Sequence, residues 1–129
     1  MTEITTPNFS LDLSGQAALV TGTTSGLGRR FAQVLAKCGA KVVLTGRRVE
    51  KLNALADEIR ADGGVCEPFR MDMTDRDSIR SVVSEAENKL GTITILINNA
   101  GIPDAQRATK MSDELIDNVF DTNLVGPYV

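Results

Sequence analysis

The 129-residue sequence contains no histidine and no tryptophan, a single tyrosine and only two cysteines. Without histidine the chain cannot build within itself a histidine-based metal centre, a Ser-His-Asp triad or a Cys-His dyad. Cys38 and Cys66 are too few for a disulfide framework or a zinc site of their own, and they read as buried thiols in a reducing cytosol. Aromatic residues make up 4% of the chain and no basic run exceeds two residues, so nucleic-acid binding has little support. No apolar run approaches the roughly 20 residues of a membrane span. The polar opening MTEITTPNFS has neither the basic nor the apolar region of a secretion signal. The expectation is a soluble, cytoplasmic globular chain without a metal site and without a nucleic-acid or membrane partner.

Hydrophobic residues make up 42% of the chain, enough for a real core, and the length fits one domain. The net charge of −3 averages an uneven distribution. Residues 29–60 hold eight bases against three acids, whereas residues 61–129 hold six bases against twelve acids. The basic segment suits either a solvated surface or one small anionic ligand.

Residues 1–14 include a proline and no periodicity, and they read as a loose leader before a domain over 15–129. Ala17-Ala18-Leu19-Val20 is a continuous apolar run of the kind expected of a strand buried on both faces. A glycine-rich turn follows at 22–28. Leu27, Phe31, Val34, Leu35 and Cys38 then recur at helical spacing up to Gly39. Val42–Leu44 predicts a second strand, and Val49, Leu52, Leu55, Ala56 and Ile59 a second helix. A weaker strand over 65–71 precedes Thr74-Asp75-Arg76-Asp77, a capping-box pattern opening a third helix with Ile79, Val82, Val83, Ala86 and Leu90 inward. Ile93–Ile97 predicts a fourth strand, and Ser112 caps a fourth helix whose apolar face runs Leu115, Val119 and Phe120. Strands alternating with helices imply right-handed βαβ units, an α/β fold and a parallel sheet. In such sheets ligands bind beyond the carboxyl ends of the strands.

The least ordinary residues fall there. Thr21-Gly22-Thr23-Thr24-Ser25-Gly26-Leu27-Gly28 sits between a buried strand and an amphipathic helix. Glycine permits positive φ and close approach to the backbone, and a helix amino end offers free N–H groups to an anion. The Gly-x-x-x-Gly-x-Gly spacing after a threonine resembles the short-chain dehydrogenase/reductase family. So do Asn98-Asn99-Ala100-Gly101 after the fourth strand, Asp72 after the third, and Asn123 in a Phe-Asp-Thr-Asn-Leu setting on the fourth helix. The resemblance runs from about residue 13 onward. It implies a Rossmann-type doubly wound parallel sheet, of which this βαβαβαβα order is the first half.

It also implies an NAD(P)-dependent oxidoreductase moving hydride between an alcohol and a ketone, in a dimer or tetramer. The rival reading is a catalytically silent dinucleotide-binding module. By the same resemblance Gly22, Gly26 and Gly28 with the N–H of Leu27 cradle the pyrophosphate, Thr23 and Ser25 also bind the cofactor, and Asp72 and the N–H of Met73 meet the adenine. Asn99, Ala100 and Gly101 also bind the cofactor, and Asn123 is catalytic. Asn98 and Asn99 either bridge neighbouring backbone or touch the ribose; the resemblance implies both.

NAD-preferring members carry a carboxylate at the end of the second strand, where this sequence has Gly46 followed by Arg47 and Arg48. Nothing there repels a 2′-phosphate and Arg47 can bind one, so NADP is favoured over NAD. Against this, Ser25 stands where many NADP-preferring members carry a second base. The bland alternative is that both arginines begin the next helix in solvent.

Asn123 is expected to face the core, four residues after Val119. Pro127, four residues further on, has no N–H to offer the Asn123 carbonyl. Either that carbonyl stays free for the water that the family's proton relay uses, or Gly126-Pro127 kinks or ends the helix. The family's Tyr-x-x-x-Lys pair is not among these residues: Tyr128 has no lysine after it. The expectation is therefore a cofactor-binding domain cut before its catalytic Tyr and Lys, with the substrate unspecified.

Overall fold

A computed structural model describes residues 10–129; most of the expected leader lies outside these. Four strands, β1 (Ala17–Val20), β2 (Lys41–Gly46), β3 (Val65–Arg70) and β4 (Ile95–Ile97), alternate with α1 (Gly26–Lys37), α2 (Val49–Ala61) and α3 (Arg76–Leu90). A long loop leads to α4 (Asp113–Phe120). The helix then widens into a π turn at Asp121–Val125 and closes with a short α-helical turn at Gly126–Tyr128. The sheet is wholly parallel in the order β3-β2-β1-β4, a partial doubly wound Rossmann-type fold. Val20 stands opposite Leu44 on one side and Ile97 on the other, so β1 and β4 end level while β2 runs on to Gly46.

Alternation along the strands splits the core into two layers. Ala18, Val20, Val42 and Leu44 pack with Ala32, Ala36, Leu52, Leu55 and Ile59 of α1 and α2. Leu19, Val43 and Phe69 face the other way, against Ile79, Val82, Ala86 and Leu90 of α3. Burial of both faces of β1 and β2 is why these two strands read as apolar runs.

Four local expectations are corrected. The buried face of α1 is Gly28, Ala32 and Ala36. Leu27 is 68% exposed, Phe31 and Val34 are exposed, Leu35 is half-buried, and Cys38, expected to be buried, is half-buried as well. A β-carbon on Gly28 would stand 2.2 Å from the Gly22 carbonyl oxygen, so this helix lies too close to the sheet for large side chains.

The cap of α3 is Asp75, whose Oδ1 accepts from the N–H groups of Asp77 at 3.0 Å and Ser78 at 3.1 Å. Thr74 is held by Asp72 instead: both its N–H and its hydroxyl donate to Asp72 Oδ1. Strand β4 begins at Ile95 rather than Ile93, and the Ile93 N–H donates to Glu87 Oε1 at 3.2 Å.

Asn123 does not face the core; it is exposed, and so is Phe120, while Leu115 and Val119 are half-buried. The π turn inserts an extra residue into the helical period and turns Asn123 toward the loop at Ile102. The helix neither ends nor breaks at Gly126, which keeps φ −53 and ψ −47. Gly126 is buried, and a β-carbon there would lie 2.4 Å from the Met73 carbonyl oxygen. Ser112 caps α4 as expected, accepting from the Leu115 N–H at 3.2 Å.

Candidate functional site

The loops after β1, β2, β3 and β4 meet at the carboxyl edge of the sheet, around a cleft of about 510 Å³. Of the residues singled out in the sequence, Gly22, Ser25, Arg47, Asp72, Met73, Asn99, Ala100 and Gly101 line it together.

Thr21, at the end of β1, organises the floor. Its hydroxyl accepts from the N–H groups of Asn99 at 3.0 Å and Ala100 at 2.9 Å, and donates to the Ile97 carbonyl at 3.5 Å. The Asn99 amide donates in return to the carbonyls of Thr21 at 3.0 Å and Gly22 at 3.2 Å. The turn after β1 and the loop after β4 are thereby sewn into one wall. Of the two readings of the asparagines, the backbone bridge is observed for Asn99, while Asn98 is exposed. Gly22, at φ 71, lets this wall close, since a β-carbon would meet Ala100 Cα at 2.9 Å.

The three glycines have separate tasks. Gly22 and Gly28 serve packing within the protein, with the Gly28 position 2.4 Å from Asn99 Nδ2 as well. Gly26, at φ 57, has no protein atom within 4 Å of its β-carbon position and faces open space. Thr23 is not on the cleft: it is fully buried, and its N–H and hydroxyl both donate to the Thr45 carbonyl, at 2.9 and 3.1 Å. Gly26, Leu27 and Gly28 form the first turn of α1 beside the cleft rather than its lining. Ser25 makes no side-chain cap and the first turn has no acidic residue, so no side chain competes for the positive end of this helix. Such an end fits an anionic group.

At the end of β2, Arg47 and Arg48 both border the cleft. Arg48, passed over in favour of Arg47, is the one that reaches the glycine turn. Its Nη2 donates to Thr24 Oγ1 at 2.7 Å and to Ser25 Oγ at 3.4 Å. The signal was present in the sequence, because side chains alternate in extended backbone and Gly46 and Arg48 share one side. Opposite them, the Asp72 carboxyl lies below the usual carboxylate range. The Thr74 N–H is the largest cause, against partial burial, helped by the Thr74 hydroxyl and the positive charges of Arg47 and Arg70. Asn123 clips the far wall: Oδ1 accepts from the Ile102 N–H at 2.9 Å and Nδ2 donates to the Ile102 carbonyl at 3.1 Å. Thr24, Ile102 and Thr122 also line the cleft. Their residue types carry no distinguishing signal in sequence.

Among the described residues no group of three His, Cys, Asp or Glu side chains could hold a metal ion, and no helix is long and apolar enough to cross a membrane. The Cys66 thiol is buried, burial pushes its pKa up, and it is no nucleophile for this cleft.

The family described as short chain dehydrogenase matches residues 16–129. A short chain dehydrogenase of the fungus Pseudocercospora fijiensis is 42% identical over 94 residues, 73% of this chain and 30% of that one. The gluconate 5-dehydrogenase of Gluconobacter oxydans is 39% identical over 112 residues, 87% of this chain and 44% of the enzyme. A metagenomic short-chain oxidoreductase, crystallised in complex with NADP, superposes with a TM-score of 0.86 at 38% identity, covering 92% of this chain and 54% of its own. The chain spans less than half the length of the curated relatives it matches. On the family match, the shared sheet and the shared motifs, the chain belongs to the short chain dehydrogenase family, and what it spans is that family's cofactor-binding half.

Proposed function

We propose that the whole protein is an NAD(P)-dependent oxidoreductase, transferring hydride between a nicotinamide cofactor and an alcohol/ketone substrate, with NADP preferred. The observation that carries this reading is the uncapped amino end of α1, opening on a cleft with two guanidinium groups at one side and a carboxylate at the other. The NADP held by the metagenomic relative supports the same choice.

In this reading the N–H groups of the first turn of α1, around Gly26, Leu27 and Gly28, take the pyrophosphate, with Gly22 and Ser25 beside it. Arg47 and Arg48 take a 2′-phosphate through charge-assisted hydrogen bonds. Asp72 accepts from the adenine amino group, and the Met73 N–H meets a ring nitrogen. Asn99, Ala100 and Gly101 form the wall along the ribose, and Thr23 supports the turn from within. The bound nicotinamide supplies the hydride acceptor or donor. Asn123, locked by Ile102, keeps its carbonyl clear of the normal helical donor because residue 127 is proline, and this favours a role for that carbonyl in holding a relay water. In this reading the proton-transferring tyrosine and lysine lie outside these residues, and a homo-oligomer packs through α4 and the helix that follows it in the family.

A silent nucleotide-binding module shares every feature of this cleft. Steady-state oxidation of NADPH by the whole protein against a panel of ketones separates the two. Turnover with NADPH exceeding that with NADH is expected; tight NADPH binding with no turnover of any carbonyl would favour the module.

A further inference from the structure

Gly46 and Thr24 interlock, and the interlock fixes the position of Arg48. A β-carbon built on Gly46 would lie 2.7 Å from Thr24 Cγ2 and 3.6 Å from Leu52 Cδ2. Leu52 is buried in the α1–α2 layer and cannot retreat. The space beside Gly46 is therefore filled by the threonine methyl.

The methyl and hydroxyl of a threonine turn together about one stiff torsion, χ1. With the methyl over Gly46, the hydroxyl oxygen lies 2.7 Å from Arg48 Nη2 and accepts its hydrogen bond. Any side chain at position 46 drives the methyl to another staggered position, and the hydroxyl leaves the guanidinium with it. Ser25 Oγ, at 3.4 Å, makes only a long second contact.

We propose that Thr24 is the positioning residue for cofactor choice. By filling the space over Gly46 it excludes a carboxylate there, and by the same torsion it holds Arg48 over the glycine turn to receive a phosphate monoester on the ribose. The same guanidinium, delivered from the end of β2, also reaches the Ser25 hydroxyl at 3.4 Å. This rests on the NADP reading above and adds to it a residue of the β1 turn that does not itself carry charge.

The test is a fluorescence titration of the whole protein with NADPH and, separately, NADH, at one ionic strength. Four variants are compared with the wild type: Thr24→Val, Thr24→Ser, Gly46→Ala and the double variant Gly46→Ala/Thr24→Ser. Valine keeps the shape and removes the acceptor, so NADPH binding weakens about tenfold, the worth of a hydrogen bond to a charged group, while NADH binding stays within about twofold. Serine keeps the acceptor and removes the methyl, so it holds NADPH within about threefold. Gly46→Ala loses NADPH affinity much as Thr24→Val does, and Thr24→Ser restores it in the double variant. A merely structural role for Thr24 would move both cofactors together and would not give that rescue.

If the wild type prefers NADPH but Thr24→Val and Gly46→Ala leave the NADPH/NADH ratio unchanged, the interlock is overturned and the NADP reading stands. A wild type that prefers NADH overturns the NADP reading itself.

Discussion

Gly28 and Gly26 stand two residues apart in one turn, yet their substitution should have opposite characters. A β-carbon on Gly28 would run into the Gly22 carbonyl and the Asn99 amide at once, and neither is free to move because both belong to the Thr21–Asn99 bridge. Gly28→Ala is expected to cost about 3 kcal/mol, the upper end of overpacking penalties. Gly26→Ala meets no atom and carries only the strain of φ 57, about 1–2 kcal/mol. Chemical denaturation of both variants measures the difference; equal losses would refute the separate roles.

Asp72 supplies a second residue-scale prediction. Its folded pKa is depressed, chiefly by the Thr74 N–H, so its contribution is fully present above the ordinary carboxylate pKa and is lost as pH falls through the depressed folded value. The contribution is therefore present in full and constant around neutral pH, and it disappears in acid. A carbon-detected NMR titration should find the Asp72 carboxyl titrating below the usual aspartate range, and a midpoint at or above that range would contradict the Thr74 contacts.

At the scale of elements, α1 teaches the most. Its large apolar residues recur at helical spacing, and that spacing correctly announces a helix. It misnames the buried face, because a helix held against the sheet at Gly28 buries small residues and leaves large ones outside. Ala32→Leu should therefore destabilise the protein by about 1–3 kcal/mol, whereas Phe31→Gln, on the exposed side, should change stability by no more than about 0.5 kcal/mol. Thermal unfolding of the two variants checks this; the reverse order would restore the large-residue face.

Strands β1 and β2 were legible because burial on both faces leaves no alternation to misread. The start of α3 was less so. Thr74 and Asp75 are both good caps, and only the capture of Thr74 by Asp72 decides between them. The cleft was readable where glycine and asparagine have few other reasons to cluster. It was not readable at Thr24, whose importance arises from a hydrogen bond with Arg48, 24 residues away in sequence. The π turn that rotates Asn123 outward leaves no trace in apolar spacing.

At the scale of the whole molecule, the described sheet has β4 at one edge, and Leu96 there is 56% exposed. An open apolar edge is a template for pairing with another chain. Leu96→Lys in the 129-residue chain should raise the monomer fraction on size-exclusion chromatography; an unchanged aggregate would place the sticking surface elsewhere. The opposite edge, β3, is guarded by Pro68, which has no N–H to offer, and by Glu67 between Arg60 and Lys89.

The molecule's charge also acquires a location. Arg47 and Arg48, from the basic stretch of an otherwise acidic chain, border the cleft beyond the strand ends, near the uncapped end of α1. The central claim, that this cleft binds a nicotinamide dinucleotide by its phosphates, is tested most directly by isothermal titration calorimetry of the whole protein with NADPH at low and high salt. Saturable binding that is tighter than that of NADH and weakens as salt rises is the predicted result. Failure to bind either dinucleotide at any salt concentration would contradict it.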